Sequence, residues 1–263
     1  MKSHPVEKLP DEYRTGLHVV YDEAGVHLYL RCDDPDAEKI RQGFRSYGSL
    51  EWLIQPGSDH AYHSVYFSGF PATEDIHYVN WAAPTRNYRL TYDGITKDSA
   101  VTSDAVVAHL FIPWTMMYDR LPSESNQWIV GLQVSGPSFR SLSGLVHELA
   151  RALKLDFEIT PEQMSAIKRH VALEMFNRYD KMRRDSGKTI QTWKDPVLGD
   201  PEFYEDCVKP LVEELDAAGQ RLLAPASDAE LDEIYRVWVP LWAEIEYEIQ
   251  ARRTAWLKDR FFE

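Results

Sequence analysis

Glu51 stands in Tyr47-Gly48-Ser49-Leu50-Glu51-Trp52-Leu53-Ile54-Gln55-Pro56-Gly57, where Leu50, Trp52 and Ile54 alternate with Glu51 and Leu53. A period of two places the apolar three on one face of a short strand and the carboxylate on the other. His27, Tyr29 and Arg31 alternate in the same way with Val26, Leu28, Leu30 and Cys32, and His63, His109 and Gln133 fall in further short strands. The expectation is one polar sheet face that gathers His27, Tyr29, Arg31, Glu51, His63, His109 and Gln133. Hydrogen-bonding groups mixed with aromatic rings suit hydroxyl-rich ligands, because sugars present donors and acceptors along their edges and C–H faces to a ring. Trp81, beside Asn80 at a strand-to-loop junction, is the expected stacking ring, with Tyr47 as the alternative. Arg140, just past the last strand, is expected at the same rim. Trp52 and Trp128 keep phase with apolar neighbours and read as core, and Trp114 as core or rim.

Other constellations are thinner. Asp33, Asp34 and Asp36 supply oxygen ligands in a short turn, which is the chemistry of a Ca²⁺ site and equally of a plain acidic turn. Asp59-His60 with His63 has metal-ligand types without a second pair at zinc spacing. His147-Glu148-Leu149-Ala150-Arg151 begins like a metalloprotease helix, but Arg151 stands where the second histidine is required. No Gly-x-Ser-x-Gly elbow, phosphate-binding glycine loop or Cys/His signature appears, and nothing pairs two carboxylates as acid and base.

The 263 residues suffice for one large domain or two modest ones. A net charge of −13 disfavours nucleic acid and anionic membranes, which need basic patches. No apolar run is long enough to span a bilayer. Met1-Lys2-Ser3-His4-Pro5 lacks a signal-peptide core, which implies a cytoplasmic location if Met1 is the natural start and a secreted one if the chain is a segment. Cys32 and Cys207 read as free thiols in different domains.

These side chains must be positioned by strands. Residues 17–32 read as a hairpin around Asp22-Glu23-Ala24-Gly25, followed by strands at 47–57, 61–68, 76–81, 87–92, 105–112 and 128–135. Short strands punctuated by Gly, Pro and Asp predict an antiparallel β-sandwich over 1–143, without helices. From about Gly144 the period changes to 3.6, which predicts an α-helical domain over 144–263 and an α+β chain overall. Thr160-Pro161-Glu162-Gln163 and Ser227-Asp228-Ala229-Glu230 are capping boxes. The first opens a stripe of Met164, Ile167, Val171, Met175, Tyr179 and Met182. The second opens one of Leu231, Ile234, Trp238, Leu241, Ile245, Ile249 and Trp256. Pro210 and Pro240 should divide or kink their helices, and residues 189–199 read as a loop.

Residues 17–140 resemble the family 9 carbohydrate-binding modules and the wider DOMON-like sandwiches. The likeness rests on Tyr21-Asp22-Glu23, Val26 to Leu30, Cys32-Asp33-Asp34-Pro35-Asp36, Gly48 to Pro56, Tyr62-His63, and Val106 to Trp114 with its Ile112-Pro113-Trp114 ending. The resemblance implies a sandwich in which Glu51 and His63 bind sugar hydroxyls, tryptophans clamp the ring and calcium is structural. The chain departs from that pattern where Arg45 and Tyr47 replace the clamping tryptophan and His109 replaces an acid. An opening Asp-x-x-Trp strand is not evident before Leu17. The expected function is non-catalytic carbohydrate binding, as an accessory module of a larger glycan-processing protein. The alternatives are an interaction module whose helices dock another domain or a second copy of the chain, and a glycan-active enzyme with its site between sandwich and helices.

Overall fold

The computed structural model describes residues 13–42, 49–57, 62–68, 76–82, 86–90, 94–122, 127–135, 140–141, 152–185 and 189–262; within the strands at 62–68, 76–82 and 86–90 it describes the backbone and, of the side chains, Val65 alone. The chain forms two compact units, Met1–Glu158 and Ile159–Glu263. Antiparallel sheets build the first and helices the second, so the chain is α+β in the order anticipated.

The strands are β1 (Thr15–Tyr21), β2 (Gly25–Asp33), β3 (Ser49–Pro56), β4 (Tyr62–Ser68), β5 (Ile76–Ala82), β6 (Arg86–Leu90), β7 (Thr96–Val101), β8 (Ala105–Pro113), β9 (Trp128–Ser135), β10 (Arg140–Ser141) and β11 (Leu153–Leu155). They form two sheets, β1-β2-β8-β7 and β10-β9-β3-β4-β5-β6, with β11 also paired to β9. Each sheet carries one closed apolar face. In the first, Val26, Leu28, Leu30 and Cys32 lie opposite Ile112, Leu110, Ala108 and Val106, and all eight are buried. In the second, Trp52 and Ile54 lie opposite Leu132 and Val130, again all buried, with Leu50 and Val65 beside them. Each of the larger side chains contributes about 2 kcal/mol by leaving water, and together they form the core of this unit.

The hairpin between β1 and β2 closes through an Asx turn. Asp22 Oδ1 accepts from the N–H groups of Ala24 at 2.9 Å and Gly25 at 3.1 Å. Trp114, at the end of β8, is wholly buried and donates its indole N–H to the Asp22 carbonyl at 2.8 Å. It meets Trp128 and Phe157 edge to face, with centroids 5.5 and 5.9 Å away, and Phe157 in turn meets Tyr21 at 5.5 Å. Trp114 is therefore core, as are Trp52 and Trp128.

The first unit departs from expectation in its details. A short helix, α1 (Ala37–Arg41), follows the acidic turn, and Trp114–Met117 form a 3₁₀ turn. The polar strand β7 lacks the apolar alternation by which a strand is recognised. β11 extends the second sheet beyond the point where composition turns helical.

In the second unit, α2 (Pro161–Arg184) begins at a complete capping box, with Thr160 and Gln163 each accepting from the other's backbone N–H. Its stripe of Ile167, Val171, Met175 and Tyr179 is buried. After the short α3 (Thr189–Thr192) and α4 (Pro201–Phe203), Tyr204–Val208 form a π-helical turn leading into α5 (Lys209–Leu223). Pro210 explains the widening. It has no N–H, and its ring would clash with the carbonyl four residues back, so Lys209 N–H bonds the Tyr204 carbonyl instead. Helix α6 (Asp228–Ala243) passes through Pro240 and breaks only at Glu244, before α7 (Ile245–Phe262). Val239 and Trp242, rather than Trp238 and Leu241, are the buried residues at that break. Cys32 and Cys207 are free thiols.

Candidate functional site

The residues expected on one polar face are divided by the structure. Tyr29, Arg31 and His109 belong to β2 and β8 of the first sheet, whereas Glu51, His63 and Trp81 belong to the second. Tyr47 lies outside the described residues. The grouping fails because alternation assigns faces within a strand but does not say which strands are neighbours.

On the second sheet, register places Glu51 opposite Gln133 on β9 and Tyr66 on β4, and Tyr66 opposite His77 on β5. Ser141 pairs with Gln133 at the far end of this row. Trp81, opposite Tyr62 and Asn87, shares the face. His63 does not. It lies opposite Ile54, in phase with the buried Val65, and so belongs to the Trp52 face. Arg140 pairs with Val134, which itself pairs with Leu50, and is likewise out of phase with Glu51. Tyr66 and His77 were not among the expected site residues, because their partners become visible only once the strands are ordered.

This face is partly roofed. Leu53, next along β3, is fully buried, and so is Gly131 opposite it. Glu51 and Gln133 are half-buried, and the Gln133 Oε1 atom is buried with no hydrogen-bond partner among the described residues. A carboxylate and a carboxamide thus stand side by side on two adjacent inner strands, with acceptor capacity left over at Gln133.

The outer face of the first sheet is different. His18, Tyr29, His109 and Asp98 form one cross-strand row, and Val20, His27, Phe111 and Thr96 the next. Tyr29 lies flat against His109, with centroids 4.4 Å apart and planes 9° apart. His27 Nδ1 is 3.1 Å from His109 Nε2, and the two rings are within 10° of coplanar. His27 Nε2 lies 3.4 Å from Asp22 Oδ2. Burial pushes the His109 imidazole below the usual histidine range, and His27 adds to this while Asp98 opposes it. Burial also works against ionisation of Asp22, but its two backbone N–H partners and His27 outweigh that and hold its carboxyl below the ordinary range. One face of Tyr29 is already covered by His109, which limits it as a sugar-stacking platform. Arg31 is engaged by Asp33 and Asp104, both at 2.8 Å, which keep its guanidinium protonated more firmly than usual.

The acidic turn is used locally. Asp33 faces Arg31, Asp36 holds Lys39 at 2.6 Å, and the buried Asp34 accepts the Asp36 backbone N–H at 2.8 Å. Among the described residues no three His, Cys, Asp or Glu side chains converge as a metal site, so Asp33, Asp34 and Asp36 do not gather as the Ca²⁺ reading required. Their positions are set by turn and helix-start hydrogen bonds instead. The groups at 59–60 and 147–151 lie outside the described residues.

The helical unit has an open cavity of about 530 Å³ lined by Arg183, Lys194, Tyr204, Glu205, Lys209 and Glu213, among others. Its cations are occupied. Lys209 meets Glu205 at 2.6 Å, Arg183 meets Asp180 at 2.9 Å, and Lys194 sits 4.9 Å over the Tyr204 ring. That makes it a weaker candidate than the Glu51 row. No helix among the described residues is long and apolar enough to cross a membrane.

No family model matches the chain, and no curated protein does. Among solved structures, the chain is similar to a "putative carbohydrate-binding protein" from Bacteroides uniformis, at 10% identity and a TM-score of 0.42 over 56% of this chain and 79% of that one. A likeness at that level fixes neither fold nor ligand.

Proposed function

We propose that the N-terminal unit binds carbohydrate without catalysis, through the polar face of the second sheet centred on Glu51. The observation that carries this reading is the Gln133–Glu51 pair, half-buried on two adjacent inner strands with the Gln133 Oε1 acceptor unsatisfied among the described residues. A carboxylate accepts from two hydroxyls at once, while a carboxamide both donates and accepts, which matches the vicinal diols of a pyranose. The row has one carboxylate flanked by Gln133 and Tyr66, an arrangement for holding hydroxyls rather than for splitting a glycosidic bond between two acids.

Trp81 supplies the stacking ring in this proposal. It is two strands across from Glu51 and four residues along, roughly 10 Å by roughly 13 Å at standard sheet spacings. A ligand touching both is an oligosaccharide rather than a single sugar. The accessory role beside a glycan-processing domain is part of the same proposal. Glu51→Ala removes a charged hydrogen-bond acceptor worth about 1.5–3 kcal/mol, so retention on the bound polysaccharide should weaken by about tenfold or more. Full retention by a folded Glu51→Ala protein, in affinity electrophoresis over a polysaccharide panel, would remove the site from consideration.

A further inference from the structure

The paired imidazoles on the first sheet lie apart from the proposed sugar face and have no part in it. We propose that His27 and His109 form a two-nitrogen site for a borderline divalent transition-metal ion, Zn²⁺, Ni²⁺ or Cu²⁺, on the outer face of this sheet. The nitrogens His27 Nδ1 and His109 Nε2 are 3.1 Å apart in near-coplanar rings. Two imidazole nitrogens bound to one ion are about 2.9 Å apart in a cis square-planar arrangement and about 3.4 Å apart in a tetrahedral one. The observed separation lies between these values; the ring centroids are 5.3 Å apart, so the two nitrogens face each other and both rings must turn within their plane to aim their lone pairs at one ion.

Orientation is the second argument. A metal-bound histidine is normally held by a carboxylate on its other nitrogen, which fixes the tautomer and the ring plane. Asp22 Oδ2 occupies that position on His27 Nε2, and Asp22 is itself anchored by the backbone of the β1–β2 turn. Its hydrogen bond keeps the proton on Nε2 and leaves the Nδ1 lone pair directed at His109. His109 is clamped by the Tyr29 ring on one face, and His27 packs against Phe111 with centroids 4.8 Å apart. Asp98 is the cross-strand partner of His109 on β7, and its Oδ1 accepts the Ser99 backbone N–H. On binding, the proton between the two rings leaves His109 Nε2 and one returns from solvent to His109 Nδ1, so both imidazoles bind as neutral ligands. No third His, Cys, Asp or Glu converges here among the described residues, so the remaining coordination positions belong to water. Imidazole ligands select these ions over Ca²⁺ and Mg²⁺.

The test titrates the full chain with one equivalent of Cu²⁺ at pH 7.5 and reads the electron paramagnetic resonance spectrum, alongside calorimetry with Zn²⁺. The wild-type protein should show a single saturable site with two equivalent nitrogen couplings. His27→Gln and His109→Gln should each lose that signature, Asp22→Asn should bind about tenfold more weakly, and His18→Gln should bind normally. Folding of each variant is checked by circular dichroism. Should a variant fail to fold, the wild-type protein still decides. If sub-stoichiometric Zn²⁺ leaves the His27 and His109 ring resonances in place, or the Cu²⁺ spectrum shows fewer than two nitrogens, the pair is a hydrogen bond only and the proposal is overturned.

Discussion

Replacing Trp114 with phenylalanine tests the link between the sandwich core and the turn that carries Asp22. The indole is wholly buried, donates to the Asp22 carbonyl at 2.8 Å, and packs edge to face on Trp128 and Phe157. Phenylalanine keeps an aromatic ring but removes three ring atoms, one of them the donor nitrogen. The two lost carbons cost about 1.6 kcal/mol at about 0.8 kcal/mol each. Loss of the hydrogen bond adds about 1 kcal/mol, rising toward 3 if the carbonyl stays buried and unpaired. The total is about 2.6–4.6 kcal/mol, which for a chain of this size corresponds to a fall in melting temperature of roughly 5–18 °C. Because the chain has two units, the readout should be local. Native-state hydrogen exchange by mass spectrometry, on peptides covering β2 and β8, isolates the sandwich. Protection there should fall by the stated free energy while peptides from α2 stay unchanged. A loss below about 0.5 kcal/mol in β2 and β8 would refute the reasoning and show that the box repacks around a smaller ring.

Three further outcomes are expected. In metal-free buffer the sandwich should lose stability as pH falls. The lowered His109 value means the folded state binds fewer protons than the unfolded one below the ordinary histidine value of about 6.5. Lowered Asp22 extends the loss to below about 3.8, and His109→Gln should remove the upper part of this slope in urea titrations between pH 8 and 5. Gly25→Ala should destabilise by about 1–3 kcal/mol, since its Cβ would sit 2.3 Å from the Ile112 carbonyl oxygen and 2.5 Å from the Phe111 ring; an unchanged melting curve would contradict this. Gly219→Ala gains up to about 1 kcal/mol of helix propensity, but its Cβ would lie 2.1 Å from the Phe176 ring, which is lodged against Tyr179 and Trp242. A net loss is expected in thermal unfolding, with recovery when Phe176→Leu is added.

The parts legible in the sequence are those governed by local periodicity. The alternation at Val26–Cys32 and Leu50–Ile54 named the buried faces correctly, and Thr160-Pro161-Glu162-Gln163 opened a helix where expected. Trp52 and Trp128 are in the core as expected, and Trp114, which the sequence left between core and rim, is core as well. The assembly of a site from several strands was not legible, because face assignment is local and neighbour order is not. His63 illustrates the cost: its own alternation with Val65 already set it on the apolar side, and pairing with β3 places it opposite Ile54 instead of Glu51. His27 and His109 were rightly expected on one face, but their direct contact and the link to Asp22 were not legible, since they depend on a turn and on a diagonal between two paired strands.

The π turn at Tyr204–Val208 has a consequence for how this helix tolerates changes in length. A π turn takes up about one residue more than an α turn, so it rotates everything after it by about 100° relative to an unbroken α-helix. That rotation aligns Phe203 with Leu211, Leu215 and Leu222, all of which are buried. A chain one residue shorter between Tyr204 and Val208, with Pro210 replaced, would present the same buried stripe from a regular helix. The segment therefore behaves as an insertion already absorbed, and indels are cheaper here than elsewhere along α5.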